Sequence, residues 1–418
     1  MVIAHDPRVS GPILESALCA GLAAEGVDVE LLGMLPTPAI AAVSARESVP
    51  GIVVTASHNP YTDNGVKVFA AGGRKLSDDV QFAIEIELED LRTESGRGTE
   101  GAGGAITRRL DADEDYIDHL VEIFGGGTLA GMRIAIDTAN GAMSVVAPAL
   151  LGRLGADVVV LNDAPTGLNI NDGCGATAPQ SLCEFVAEAH DGLDVDIAFA
   201  FDGDGDRVIA VDENGKVVDG DRLIALSALE RLGSGTLVGG TVVVTVMTNL
   251  GFHRAMHAAG IDVVTTSVGD RSVLQEMESN GYVIGGEQSG HIIHRDLATT
   301  GDGLLAAIVL ARMVRRERAA TGRPFSDIAA AVMTNVPQVL RAVPVTTKPV
   351  DVEADLADSL ATARERLGER GRILVRMSGT EPVVRVMVEA DDADMAEETA
   401  SELVSAVVSR WGGREPAP

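Results

Sequence analysis

Cysteine is scarce in this chain. Three residues in 418, Cys19, Cys174 and Cys183, form an odd set with no C-x-x-C pair. That excludes a disulfide framework and a zinc ribbon and fits a reducing compartment. Lysine is nearly as rare: Lys67, Lys75, Lys216 and Lys348 are the only four among 33 basic residues, so a lysine inside a motif carries information. Acidic residues number 62, which gives a formal net charge of −29. A field of that sign repels phosphates over most of the surface and argues against a general nucleic-acid or anionic-membrane binder. A phosphorylated substrate then needs local Arg or Lys to collect it. The longest apolar run, near 304–311, falls well short of the roughly 18 residues of a membrane span. The opening Met-Val-Ile-Ala-His-Asp-Pro has neither a basic start nor an apolar run, so no signal peptide is read. The expectation is a cytoplasmic protein, a monomer or homodimer, acting on a small molecule, with no nucleic-acid and no membrane partner.

What is present is apolar residue in quantity. A 46% hydrophobic and 23% charged composition supports a large core. The length suggests two to four domains at roughly 100–200 residues each. Short β-rich runs at 2–5, 27–32 and 51–55 alternate with helical patterns at 11–25 and 38–45, a rhythm that predicts α/β layers. The glycine-rich, charged stretch 93–109 has no apolar periodicity and reads as a linker. A second block runs helix 114–124, strand 133–137, helix 142–154, strand 158–161, helix 182–189 and strand 196–201. A third has strands 241–247 and 262–268, helices 250–259 and 271–280, and a long helix from 303 to about 319. From 336 onward the pattern changes to a compact α+β unit: helix 354–367, strands 372–376 and 383–389, helix 395–408. The predicted fold class is α/β, three consecutive α/β domains with mixed sheets at 1–110, 111–215 and 216–335, and a smaller C-terminal α+β domain at 336–418. No short-period repeat is visible, which argues against a solenoid.

Four constellations could carry chemistry. Thr55-Ala56-Ser57-His58-Asn59-Pro60 follows a strand, and a Ser at the C-terminal end of a strand sits where α/β ligand sites form. Asn64-Gly65-Val66-Lys67 brings one of the rare lysines close behind; no G-x-S-x-G elbow surrounds Ser57, so a serine hydrolase is disfavoured. Asp202-Gly203-Asp204-Gly205-Asp206-Arg207 puts carboxylates at alternate positions, separated by glycines that permit sharp turns, and suits a hard cation such as Mg²⁺. An EF-hand is disfavoured, since Arg207 stands where that loop needs Gly and the flanks read as strands. Arg207 beside three Asp suits a site that also holds phosphate. Gly285-Gly286-Glu287-Gln288-Ser289-Gly290-His291 offers acceptors, a hydroxyl and an imidazole on a glycine-framed loop suited to sugar hydroxyls. Arg376-Met377-Ser378-Gly379-Thr380-Glu381-Pro382, with Arg385 beyond, offers hydroxyls, backbone N–H groups and two guanidiniums for an oxyanion. Each alone could be a polar turn. In this order they describe metal-assisted phosphoryl transfer on a phosphosugar.

On these motifs the chain resembles the α-D-phosphohexomutases. TASHNP at Thr55, DGDGDR at Asp202, GGEQSGH at Gly285 and SGTEP at Ser378 occur in family order and span almost the whole chain. Gln288 is the glucosamine-type variant, where phosphomannomutase and phosphoglucomutase relatives usually carry Met. The resemblance implies four domains around a central active-site cleft, each giving one loop, and an isomerase that interconverts glucosamine 6-phosphate and glucosamine 1-phosphate through a 1,6-bisphosphate, on the route to cell-wall precursors. It implies that Ser57 carries the phosphoryl group and must be phosphorylated for activity. It implies that Asp202, Asp204 and Asp206, with a phosphoserine oxygen of Ser57, hold one Mg²⁺. Glu287 and Ser289 would bind sugar hydroxyls. Arg207 would face substrate, and Arg376, Ser378, Gly379, Thr380 and Arg385 would hold the non-reacting phosphate. The match begins at Val2, without the strand and helix bearing G-T-D-G-x-R-G with which relatives open, and His5-Asp6-Pro7-Arg8 stands where they read Arg-Asp-Thr-Arg. Either the start codon lies further upstream or the chain is truncated, and a truncation would cost the first domain a strand and part of the site wall.

Phosphoryl transfer needs charge neutralisation and in-line placement, and a base for the attacking hydroxyl. Lys67 and His291 are the candidates for that proton, with His58 behind them. Two other readings compete: a phosphatase or phosphotransferase with an Asp nucleophile in the D-x-D stretch, and an inactive sugar-phosphate binder. A phosphomannomutase or phosphoglucomutase is the nearest alternative within the family.

Overall fold

Runs of β-branched and small apolar residues build four sheets in the computed structural model, which describes residues 1–93, 103–188, 194–378 and 381–413. Strands Ile197–Phe201 and Thr241–Thr245 are buried along their whole length, as strands covered on both faces must be. The first sheet has six strands, in the order Arg74–Lys75, Val66–Ala70, Gly51–Val54, Val2–His5, Val29–Met34, Ile106–Arg108. The second has five: Val217–Val218, Val208–Val211, Ile197–Phe201, Arg133–Asp137, Asp157–Leu161. The third has four: Asp262–Thr266, Thr241–Thr245, Ile284–Gly286, Ile292–His294.

These three sheets repeat one plan. A strand–helix–strand–helix–strand path lays down three parallel strands with the first in the middle. A further strand then turns back antiparallel against the third. The turn between them carries, sheet by sheet, Ser57, the three Asp, and Glu287 with His291. The motifs thus share one topological position, at the carboxyl end of a parallel strand where α/β sheets place ligands.

Several elements differ from the sequence expectation. The stretch 93–109 is not a linker throughout. Ile106–Arg108 is a strand parallel to Val29–Met34, joined by Val29 N–H to the Ala105 carbonyl at 2.8 Å and Arg109 N–H to Leu31 at 2.9 Å; residues 94–102 lie outside the described residues. Its glycine content has a local reason: a Cβ on Gly104 would lie 2.1 Å from the Val27 carbonyl oxygen. Lys67 lies in a strand, opposite Val53. The third block has a further strand, Ile284–Gly286, where a Cβ on Gly285 would come within 2.6 Å of the Val243 carbonyl oxygen.

The chain divides into two compact units, Met1–Thr245 with Ile261–Val332, and Val246–Gly260 with Met333–Pro418. The first contains the three repeated sheets. The second is an antiparallel sheet, Gln338–Pro344, Val383–Ala390 and Gly371–Met377, with Val384, Val386 and Val388 packed on Leu360, Leu367, Leu403 and Val407 of helices Ala357–Leu367 and Ala393–Trp411. On its other face Glu389 is fully buried. It pairs with Arg372 at 2.6 Å and accepts from the Leu250 N–H at 3.2 Å, so helix Leu250–Ala258 belongs to this unit. Among the described residues no helix is long and apolar enough to cross a membrane.

Asp302 shows how a buried polar group is kept. It caps helix Gly303–Thr321 by accepting from Leu305 N–H at 2.9 Å and takes the Tyr116 hydroxyl at 3.0 and 2.9 Å. Burial still pushes its carboxyl up to about 6. The folded protein therefore holds a proton here that the unfolded chain has released, so the group's stabilising contribution is full below the ordinary carboxylate range and is lost as pH rises through about 6. Asp302→Asn keeps both acceptor contacts and removes the buried charge. Its thermal midpoint should gain on wild type between pH 5 and pH 8, by the equivalent of roughly 1–3 kcal/mol. Differential scanning fluorimetry across that range checks it; a difference independent of pH contradicts it.

Candidate active site

Ser57 is held by its backbone. The turn after strand Gly51–Val54 puts it at φ +51°, a left-handed conformation uncommon for a side chain with a Cβ. Its N–H donates to Thr55 Oγ1 at 2.9 Å, and Thr55 Oγ1 donates to Asp6 Oδ2 at 2.7 Å. Asp6 in turn pairs with the fully buried Arg8 at 2.9 Å. The Arg8 guanidinium donates to the carbonyls of Ser57 at 2.9 Å, Asn59 at 2.8 Å and Asp63 at 3.0 Å, and to that of Pro60. Asn171 Nδ2 adds bonds to Ser57 and Asn59 carbonyls at 2.9 and 3.1 Å. The loop is thus fastened by donors from two sheets.

The hydroxyl of Ser57 meets Asp202 Oδ2 at 2.6 Å. Asp202, Asp204 and Asp206 are buried, with one ligand atom from each lying within 4.8 Å of the others. Glycines make this possible: Gly205 has φ +73°, and a Cβ on Gly203 would sit 2.7 Å from the Ser57 carbonyl oxygen. Lys67 Nζ bridges Asp204 at 2.6 Å and Asp206 at 2.8 Å, and Thr37 Oγ1 donates to Asp204 at 2.6 Å. Asp204 Oδ1 and Asp206 Oδ1 are buried and make no hydrogen bond, although His291 Nδ1 lies 3.6 Å and Arg207 Nε 4.0 Å from the latter. Two carboxylate oxygens without a hydrogen bond in a three-carboxylate cluster fit a hard cation.

Charge follows geometry. Burial, then repulsion from Asp206 and Asp204, raises Asp202 well above the usual carboxylate range. Burial pushes Asp206 the same way, but Lys67, His291 and Arg207 overcome it and hold that carboxyl well below its ordinary value. Burial works against the Lys67 charge too, and Asp204 and Asp206 outweigh it, so its ammonium is held above the ordinary lysine range. His291 is lowered by burial, with Asp206 opposing; its Nδ1 lies 3.6 Å from Asp206 and its Nε2 3.5 Å from Asp270. His58, 3.4 Å from the Ser57 hydroxyl, is lowered by burial and then by Arg207.

A cavity of about 1000 Å³ joins these parts: Ser57, His58, Lys67, Asp206, Arg207, Glu287 and His291 line it. Asp202 and Asp204 stand behind it as ligands to the same cluster. Glu287 accepts from Gly269 N–H at 3.0 Å, Gln288 donates to Asp219 at 3.2 Å, and Ser289 is exposed and lines none of the cavity. The second unit carries Arg376 and Arg385 as cross-strand partners. Arg376 Nε is buried without a hydrogen bond, and burial followed by Arg385 lowers its guanidinium. Ser378 is buried beside them; Gly379 and Thr380 lie outside the described residues. Two adjacent guanidiniums, one with an unpaired N–H, suit a phosphate. Sequence reading missed Arg8, Thr37, Asn171, Lys75 and Asp270. A signal for Arg8 was present in the Asp6-Pro7-Arg8 pairing, whereas the others act only through tertiary contact.

Four models of one family match: Phosphoglucomutase/phosphomannomutase alpha/beta/alpha domains I, II and III at residues 1–95, 114–215 and 219–336, and its C-terminal domain at 317–406. A phosphoglucosamine mutase of Streptomyces avermitilis is 46% identical over 98% of this chain and 90% of its own length. One from Frankia alni is 47% identical over 97% of this chain and 87% of its length. The crystal structure of a phosphoglucomutase/phosphomannomutase family protein from Burkholderia thailandensis superposes with a TM-score of 0.80 at 25% identity, covering all of this chain and 90% of that one. With four successive family domains and full-length relatives at this identity, the chain belongs to the phosphoglucomutase/phosphomannomutase family.

Proposed function

We propose that this protein is a phosphoglucosamine mutase, interconverting glucosamine 6-phosphate and glucosamine 1-phosphate through a phosphorylated Ser57 and a 1,6-bisphosphate. The carrying observation is the Ser57 hydroxyl 2.6 Å from Asp202, at the edge of a three-carboxylate cluster opening on a cavity of sugar-phosphate size. The relatives named phosphoglucosamine mutase supply the substrate. Four modules, 1–110, 111–215, 216–335 and 336–418, belong to the same reading, as does a cytoplasmic setting.

Asp202, Asp204 and Asp206, with an oxygen of phosphorylated Ser57, would hold one Mg²⁺. Bound there, the ion supplies positive charge against the transferring phosphoryl group. The chain's residues do the rest. A sugar hydroxyl attacks the phosphorus; the new P–O bond forms as the bond to Ser57 Oγ breaks, and the hydroxyl's proton needs an acceptor. Lys67 and His291 are the two candidates in this reading: Lys67 is held as its ammonium by Asp204 and Asp206, so it accepts only once those carboxylates are shared with the cation and a proton has left it. His291, neutral through burial, orients beside Asp206 and is the second proton carrier. Arg207 faces the transferring group, and Glu287 accepts from sugar hydroxyls, with Ser289 reaching them only if its loop turns toward the cavity. Arg376, Ser378, Gly379, Thr380 and Arg385 hold the phosphate that stays. The sugar then turns end for end and returns its other phosphate to Ser57.

Ser57→Ala should fold normally and lose roughly a thousandfold or more in turnover of glucosamine 1-phosphate. Intact-mass spectrometry should find one phosphoryl group on the active wild type and none on the variant. Near-wild-type turnover without the hydroxyl would exclude the phosphoserine route, and a labile acyl phosphate on Asp202 would replace it.

Chelation tests the cluster. EDTA should abolish turnover and Mg²⁺ should restore it. Asp204→Asn, which swaps one anionic ligand for a neutral one, should raise the Mg²⁺ concentration for half-maximal activity by about tenfold or more. Unimpaired turnover in EDTA would remove the metal from the reading.

A further inference from the structure

The cavity contains a carboxylate that neither the motifs nor the phosphoryl chemistry uses. Asp270 opens helix Asp270–Asn280, directly after Gly269, whose N–H is bonded to Glu287. That bond sets Asp270 beside the sugar-binding loop. The His291 ring lies 3.5 Å from it on one side and 3.6 Å from Asp206 on the other, so His291 of the sugar loop stands between Asp270 and the metal loop. Its side chain is 30% exposed, toward the cavity that Ser57 also lines.

We propose that Asp270 receives the ammonium group of the aminosugar, and that this contact is how the site favours an amino over a hydroxyl substituent. The proposal rests on the aminosugar reading above. The substrate differs from the corresponding hexose phosphate by one positive charge, and a partly buried cation needs an anionic partner. Four carboxylates line the cavity: Glu85, Asp206, Asp270 and Glu287. Asp206 is engaged by Lys67 and His291 within the metal cluster. Glu287 gives one oxygen to Gly269 and belongs to the loop that faces hydroxyls. Glu85 is on the exposed helix Asp78–Thr93, bonded to Gln81. Asp270 is the acid that remains.

The protein itself shows that a primary ammonium fits there. Lys75 Nζ reaches across from the edge strand Arg74–Lys75 and pairs with Asp270 Oδ2, while Oδ1 accepts the Arg271 N–H at 2.7 Å. A carboxylate has about four lone-pair sites, so these two bonds leave room for a second ammonium. Burial also pushes Lys75 down to about 8.

The test compares kcat/KM for glucosamine 1-phosphate and glucose 1-phosphate in the full chain, with Mg²⁺ and the matching bisphosphate primer. Asp270→Asn should cut the aminosugar-to-hexose ratio by about ten- to a hundredfold, mostly through KM for the aminosugar. Lys75→Met, which removes the competing ammonium and keeps an apolar stem, should preserve the ratio or raise it. If Asp270→Asn and Lys75→Met lower both substrates in parallel, Asp270 only anchors Lys75 and the proposal falls. Should Asp270→Asn fail to fold, Asp270→Ser also removes the charge while keeping a polar group; an unaltered ratio there overturns the proposal equally. A wild type without preference for the aminosugar overturns the substrate reading and this assignment with it. A wild-type preference that survives in Asp270→Asn overturns the assignment alone.

Discussion

Three buried carboxylates within 4.8 Å of one another repel, and the surrounding architecture answers that repulsion. The answer comes mostly from another sheet. The Asp loop leaves the second sheet, while Lys67, Thr37 and Ser57, which pair with it, belong to the block around the first. The Thr37 N–H also donates to the Asp204 carbonyl at 2.9 Å. Replacing Lys67 with an apolar group would leave a buried charge uncompensated, a costly state. The electrostatics of the site and the docking of the first two α/β blocks are therefore one problem with one solution.

The Ser57 loop answers a different demand. A turn in a left-handed conformation relaxes unless its carbonyls are held, and the Arg8 guanidinium holds four of them. Arg8 can be fully buried because Asp6 neutralises it and every direction around its fork meets an acceptor. Burial raises Asp6 even so, with Thr55 and Arg8 pulling it back. This network runs from strand Val2–His5 to the Ser57 backbone. It is a scaffold for position, with chemistry left to the groups in front of it.

Much of this could be read in the sequence, for identifiable reasons. Alternating strands and helices in the first three blocks follow from periodicity, because buried parallel strands need continuous β-branched runs. The four motifs were visible because each concentrates unusual residues in a few positions. What escaped were the antiparallel returns. Val66–Ala70 and Ile292–His294 are short and directly follow glycine- and asparagine-containing turns, and their pairing is decided by the neighbouring strand. Ile106–Arg108 was hidden inside glycine-rich sequence whose glycines serve a close backbone approach. Lys75 and Asp270 are 195 positions apart, and nothing local to either marks the pair.

The torsion at Ser57 limits more than its own position. A threonine hydroxyl is as competent chemically as a serine hydroxyl to carry a phosphoryl group. At φ +51°, however, a β-branched side chain crowds its own backbone, whereas serine's single Cβ substituent does not. The choice between two equivalent alcohols is thus made by sterics one bond removed from the hydroxyl oxygen. The strand-to-hairpin turn that aims the hydroxyl at Asp202 also narrows which amino acid can supply it.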